Sequence, residues 1–137
     1  MRLTPVYVLL LACLAWLPVQ SFAEDAEGGE GGVYYFELSP GFVTNYGGPG
    51  RLKYLKADVT LEMSDPRAFQ AVEQHEPLIR NTIVMNLSRQ TENNVITARG
   101  QERIRKELLE VVNRTLRAEV GSDVVEDVLI TDFIYQN

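Results

Sequence analysis

The chain has 137 residues, enough for one domain with appendages, and its formal net charge at pH 7 is −6. This acidic balance argues against nucleic-acid binding, because contacts to phosphate need clustered lysine and arginine side chains. The one cysteine, Cys13, lies near the N-terminus, so residues 24–137 have neither a disulfide nor thiol chemistry.

The first 23 residues have the pattern of a secretory signal. Arg2 precedes an apolar run over residues 6–17, and Ser21-Phe22-Ala23 places small residues at the two positions that a signal peptidase reads. An apolar run of about 12 residues is shorter than the roughly 20 that a membrane-spanning helix needs. We therefore expect cleavage between Ala23 and Glu24.

Two other fates of this leader stay open. Lipidation of Cys13 is less favoured, because Leu10-Leu11-Ala12-Cys13 is a poor lipoprotein box and apolar residues continue beyond the cysteine. If the segment from Leu3 to Phe22 is retained and tilted, it nearly spans a bilayer and anchors the chain to the inner membrane. All three fates place the rest of the chain outside the cytoplasm.

Residues 24–46 predict a linker followed by extended segments. Residues 24–32 contain only Glu, Asp, Ala and Gly, which is typical of a flexible acidic linker. The aromatic-rich residues 33–38 predict a strand that Pro40-Gly41 turns, and residues 42–46 predict a second short extended segment. Residues 47–50, Gly-Gly-Pro-Gly, predict a loop.

The segment 51–63 alternates between apolar and polar side chains. Such alternation predicts a strand with one face on a core and the other in water. The predicted core face carries Leu55, Ala57, Val59, Leu61 and Met63.

Two helices are predicted over residues 65–87. Asp65-Pro66 indicates an N-cap followed by proline at the first helical position, and this short helix should end near Gln74. Pro77 must restart or kink the chain, because proline lacks a backbone donor, and a second helix then continues to Leu87. The central apolar stripe of that helix is Ile79, Ile83 and Leu87.

A long helix and a closing strand complete the predicted fold. Thr97 caps a helix that runs to about Glu119 and stops at Gly121, with apolar residues at helical spacing. In the closing strand, over residues 124–135, strict alternation puts Phe133 on the same face as Leu129, and apolar residues occur on both faces. That pattern predicts a strand largely covered on two faces. The element order indicates an α+β fold, with a mostly antiparallel sheet and helices packed on one face.

The sequence has no recognisable catalytic or cofactor site. His75 is the only histidine, and Glu73-Gln74-His75-Glu76 is more simply a solvated helix turn than a metal site. No Gly-x-Ser-x-Gly motif presents a nucleophile, and the loop at residues 47–50 lacks the lysine of a phosphate-binding loop. We therefore expect no enzyme activity, no cofactor and no metal.

The candidate contacts to a partner or to other copies of the chain are Phe42, Asn45, Tyr46 and Tyr54. These residues lie close to glycine-rich turns, and exposed aromatic side chains on a small acidic domain often mark contact surfaces. Packing in the core is the competing interpretation for the three aromatic residues, and burial statistics favour it.

Short motifs along residues 34–137 resemble the FliL family, small membrane-linked proteins of the bacterial flagellar basal body. Each motif alone is weak, but their shared order over most of the domain makes the resemblance specific. The motifs are Tyr35, Leu38, Pro40, Phe42, Val43 and Asn45; Leu52-Lys53-Tyr54-Leu55 and Leu61-Glu62; Pro77-Leu78-Ile79-Arg80-Asn81; Gly100 through Leu109; and Val128 through Gln136.

This resemblance implies a periplasmic domain like that of stomatin and prohibitin proteins. It also implies a ring-like homo-oligomer around the flagellar stator proteins MotA and MotB, which supports torque under load. Family members usually keep a clear transmembrane helix after a short basic tail, whereas the leader of this chain has a cleavable pattern. A soluble periplasmic binding or scaffold paralogue without a direct motor role is therefore the alternative.

Overall fold

The computed structural model describes residues 28, 29 and 32–136. Cys13 and the expected cleavage site between Ala23 and Glu24 lie outside the described residues. The elements in chain order are β1 (Gly28–Gly29), β2 (Val33–Glu37), β3 (Phe42–Tyr46), β4 (Lys53–Met63), α1 (Pro66–Gln74), α2 (Glu76–Ser88), α3 (Glu92–Ile96), α4 (Ala98–Val120) and β5 (Asp127–Gln136). The predicted α+β class is confirmed, with an antiparallel sheet and helices packed against it.

The long strand β4 is the centre of the sheet. β5 pairs with it along one edge, from Tyr54 opposite Gln136 to Glu62 opposite Asp127. β2 and β3 share the other edge, where β2 pairs with residues 60–63 and β3 with residues 53–57. The two-residue strand β1 pairs with β2.

The break between β2 and β3 is not a reversal of the chain. Both strands run antiparallel to β4 and follow each other along the same edge, and between them the Leu38 N–H donates to the Val59 carbonyl oxygen at 3.0 Å. The turn expected at Pro40-Gly41 is therefore wrong. The chain bulges out over residues 39–41 and returns to the same line.

One face of β4 carries the core, as the alternation of its sequence predicted. Leu55, Ala57, Val59, Leu61 and Met63 are all buried. α1 contacts β2, α2 contacts β3 and α4 contacts β5. The helices bring Val72, Ile79, Ile83, Leu87, Ile104, Leu108, Val112 and Leu116 into the same core.

The helix ends match their local sequence signals. The Asp65 side chain accepts a hydrogen bond from the Arg67 N–H at the start of α1, and Thr97 accepts one from the Gly100 N–H at the start of α4. Gly121 ends α4 with a φ of 84°, a left-handed conformation that glycine adopts without a steric penalty. The short helix α3, capped by Thr91, was not predicted.

The closing strand differs from its prediction in where it begins and in which side chains lie on the core face. β5 begins at Asp127 rather than at residue 124, and a bulge lies beside Asp58 and Val59. Asp58 pairs with Asp132 and Val59 pairs with Ile130, which leaves Thr131 without an opposite residue. The extra residue shifts the alternation by one, so Phe133 lies on the core face with Ile130.

The predicted covering of the closing strand on both faces is therefore wrong. Ile130 and Phe133 pack against the core, while Ile134, on the other face, is 55% exposed. No helix in the described part of the chain has the length and apolar character to cross a membrane.

Candidate functional site

The four candidate contact residues divide between the two faces of the sheet. Phe42 and Tyr46 are 2% and 3% exposed, because they pair with Ala57 and Lys53 on the side that the helices cover. Asn45 and Tyr54 lie opposite each other on the uncovered side, and both are exposed. Of the four candidates, only Asn45 and Tyr54 are exposed in this fold.

Phe42 and Tyr46 instead fix β3 to its surroundings. The Arg80 guanidinium lies 4.6 Å from the centroid of the Phe42 ring and donates to the Pro40 carbonyl oxygen at 2.6 Å. The Tyr46 hydroxyl donates to the Gln136 carbonyl oxygen at 3.3 Å, and burial raises the pKa of its phenol. Phe42 thereby links the sheet to α2, and Tyr46 links β3 to the end of β5.

The side of the sheet that faces away from the helices is called the outer sheet face below. Its members follow from the register of β4 with its three partners, because opposite residues in an antiparallel pair point to the same face. They are Tyr35, Glu37, Val43, Asn45, Tyr54, Lys56, Asp58, Thr60, Glu62, Asp127, Leu129, Asp132, Ile134 and Gln136.

An apolar patch lies at one end of the outer sheet face. Val43, Tyr54 and Ile134 are 68%, 46% and 55% exposed, and Val43 and Ile134 flank Lys56 from the two neighbouring strands. Neither Val43 nor Ile134 was among the contact residues predicted from the sequence. Alternation with Phe42 could have placed Val43 on the outer sheet face. The face of Ile134 could not be predicted in this way, because the bulge shifts the alternation in β5.

The charges on the outer sheet face are mostly negative. The strands place Glu37, Asp58, Glu62, Asp127 and Asp132 on this face with one lysine, Lys56, and Asp127 is paired with Arg105 of α4. The Lys56 Nζ lies 3.3 Å from Asp132 Oδ2 and 3.5 Å from Asp58 Oδ2. The hydrogen bond to Asp132, together with the charge of Asp58, raises the pKa of Lys56.

A second group of charges ties α4 to the start of β5. Arg105 pairs with Glu102 within the helix at 2.8 Å and with Asp127 of the strand. The hydrogen bond from Arg105 lowers the pKa of Glu102 to about 2. These charges compensate one another, so this cluster serves to join two elements.

The described residues offer little for chemistry on a small molecule. A cavity of about 510 Å³ lies between the start of α1 and the segment before β5, where Ser64 is hydrogen-bonded to Glu126. Within residues 28, 29 and 32–136, no three His, Cys, Asp or Glu side chains are grouped so that they could hold a metal ion. The most exposed apolar side chains of the strands, Val43 and Ile134, lie on the outer sheet face.

The chain matches known proteins over most of its length. Residues 35–136 match the family model described as flagellar basal body-associated protein FliL. The chain is also similar to the flagellar protein FliL of Aquifex aeolicus (strain VF5), with 34% identity over 107 residues. The aligned region covers 78% of this chain and 63% of that protein, so the chain spans less than two thirds of the length of the relative it matches.

Proposed function

Because this chain belongs to the FliL family of flagellar basal body-associated proteins, we propose that it acts at the flagellar basal body as a non-enzymatic accessory of the motor. The observation that carries the proposal is the match over residues 35–136, which includes β3, β4, β5, all four helices and the end of β2. The part that the domain plays there is to bind other proteins.

The partners proposed are other copies of the chain and the stator proteins MotA and MotB. In this arrangement a ring of stomatin-like domains surrounds the stator units on the periplasmic side of the inner membrane and supports torque under load. The exposed side chains of Val43, Tyr54 and Ile134 support a protein-binding role, because contiguous exposed apolar groups mark interaction surfaces.

A second candidate is a soluble periplasmic scaffold that uses the same domain away from the motor. The leader pattern favours it, because Ser21-Phe22-Ala23 matches a cleavage signal and release from the membrane would follow. A retained leader would instead concentrate the domain near membrane-bound partners and raise its effective concentration there.

The two candidates predict different locations for the chain. An epitope-tagged full chain, expressed from its own gene, is followed through purification of flagellar basal bodies, and its intact mass gives the fate of the leader. The motor role predicts that the chain purifies with basal bodies and that removal of MotA and MotB lowers the retained amount.

The contradicting result would be a chain found in the soluble periplasmic fraction in equal amounts with and without flagella. A mass that begins at Glu24 in that fraction would favour the scaffold. A deletion strain completes the test, because the motor role predicts slower swimming in viscous medium that the full chain restores.

A further inference from the structure

We propose that the outer sheet face docks a basic segment of a partner protein, in which lysine or arginine side chains flank an apolar or aromatic residue. The inference rests on the proposed function, since it names the chemistry of the partner met at the basal body. The partner is a protein other than a second copy of this chain.

The apolar part of the surface is continuous across three strands. Neighbouring strands lie about 4.8 Å apart, so side chains on adjacent strands of one face touch or nearly touch. Val43 of β3, Lys56 of β4 and Ile134 of β5 form one such row, and Tyr54 lies in the next row. The stem of Lys56 adds apolar surface between Val43 and Ile134 while its ammonium turns to Asp132.

The charges on the outer sheet face indicate that the partner segment is positively charged. Lys56 is already shared between Asp58 and Asp132. Glu37 and Glu62 form no ion pair with any described residue. A basic segment would supply the cations that this face lacks, and complementary charge raises both the association rate and the specificity of a contact.

The helical side of the molecule differs from the outer sheet face in its balance of charges. On the outward surface of α4, the cations Arg99, Arg103 and Lys106 are mixed with Glu102, Glu107 and Glu110. That surface is balanced in charge, in contrast to the outer sheet face. A symmetric contact that buried the whole of both outer sheet faces would enclose the carboxylates of both copies with only one lysine from each, which disfavours a contact between two copies.

The test compares opposite charges at one exposed position. Val43→Lys and Val43→Glu both remove the valine, but only the lysine repels a basic segment. Met85→Lys and Met85→Glu are matched controls on α2, where Met85 is 44% exposed in the helical layer. Each change is made in the full chain, in cells, with the photo-crosslinking residue p-benzoylphenylalanine replacing Tyr54.

The expected adducts at position 54 are peptides of another protein with net positive charge, identified by mass spectrometry. We expect Val43→Lys to lower the adduct yield at least about fivefold relative to Val43→Glu, because like charges repel across the interface. The Met85 pair should give equal yields. Urea unfolding of the four purified variants checks that each is folded, because the changed side chains are exposed.

Several results would overturn the inference while leaving the motor role intact. These are equal yields from the two Val43 variants, adduct peptides without net positive charge, adducts to other copies of the chain only, or no adducts from a chain that purifies with basal bodies. Absence of the wild-type chain from basal bodies would instead overturn the proposed function itself.

Discussion

At the scale of single residues, Asn113 shows how one buried amide can organise a segment without regular structure. It is 9% exposed on α4, and its Nδ2 donates to the Val125 carbonyl oxygen at 2.7 Å. Its Oδ1 accepts from the N–H groups of Val124 and Val125 at 3.1 and 3.0 Å. The side chain therefore satisfies three backbone groups just before β5 begins.

We predict that Asn113→Ala destabilises the fold by about 2–4 kcal/mol, because buried backbone groups of Val124 and Val125 lose their partners. Urea unfolding of the purified domain measures this. Asn81→Ala is the matched control: Asn81 is exposed on α2, and its replacement should change the free energy of unfolding by less than about 0.5 kcal/mol. Equal stability of the two variants would contradict this role for Asn113.

The candidate contact residues were only partly predictable. Alternation along residues 42–46 separates Phe42 and Tyr46 from Val43 and Asn45, but both sets contain apolar side chains. The pairing of β3 with β4 decides which set packs against the helices, and this pairing depends on tertiary structure rather than on local sequence. For Tyr54, burial statistics favoured core packing, whereas alternation from the core residues Leu55 and Ala57 places it on the exposed face, where it lies.

At the scale of elements, the ends of the longer helices could be predicted because each has a local chemical cause. Asp65, Thr97 and Gly121 act through their own side chains or backbone freedom. α3 was missed because five residues are too few to show a helical period. Its close packing is visible at Gly100, where a Cβ atom would overlap the backbone of Asn94.

The facing of β5 could not be predicted from alternation. A bulge adds one residue to a strand without any required residue type, and every later side chain then changes face. In β5 this change occurs at Thr131 and transfers Phe133 to the core face and Ile134 to the outer sheet face.

The bulge predicts unequal costs for two neighbouring truncations. Phe133→Ala should destabilise the fold by about 2 kcal/mol, less than the cost of a fully buried phenylalanine, because Phe133 is half-buried. Ile134→Ala should cost less than about 1 kcal/mol, since Ile134 is mostly exposed. Chemical denaturation compares the free energies of unfolding of the two variants. A larger loss for Ile134→Ala would contradict the assignment, because it would place Ile134 on the core face and Phe133 on the outer sheet face.

At the scale of the whole molecule, the domain has two unlike sides. The helices bury one side of the sheet, while the other presents an apolar patch at one end and the unpaired carboxylates Glu37 and Glu62 at the other. Membership of the FliL family, which the order of short motifs had indicated, gives this asymmetry a setting in the flagellar basal body. We expect the helical layer to keep the domain rigid while the outer sheet face meets a partner.

As proposed above, the chain is part of the flagellar motor. Electron cryotomography of motors in intact cells, averaged from the wild type and from a strain lacking this chain, tests it most directly. We predict periplasmic density beside the stator units in the wild type, its loss in the deletion strain and its return when the full chain is restored. Identical averages from the two strains would contradict the claim.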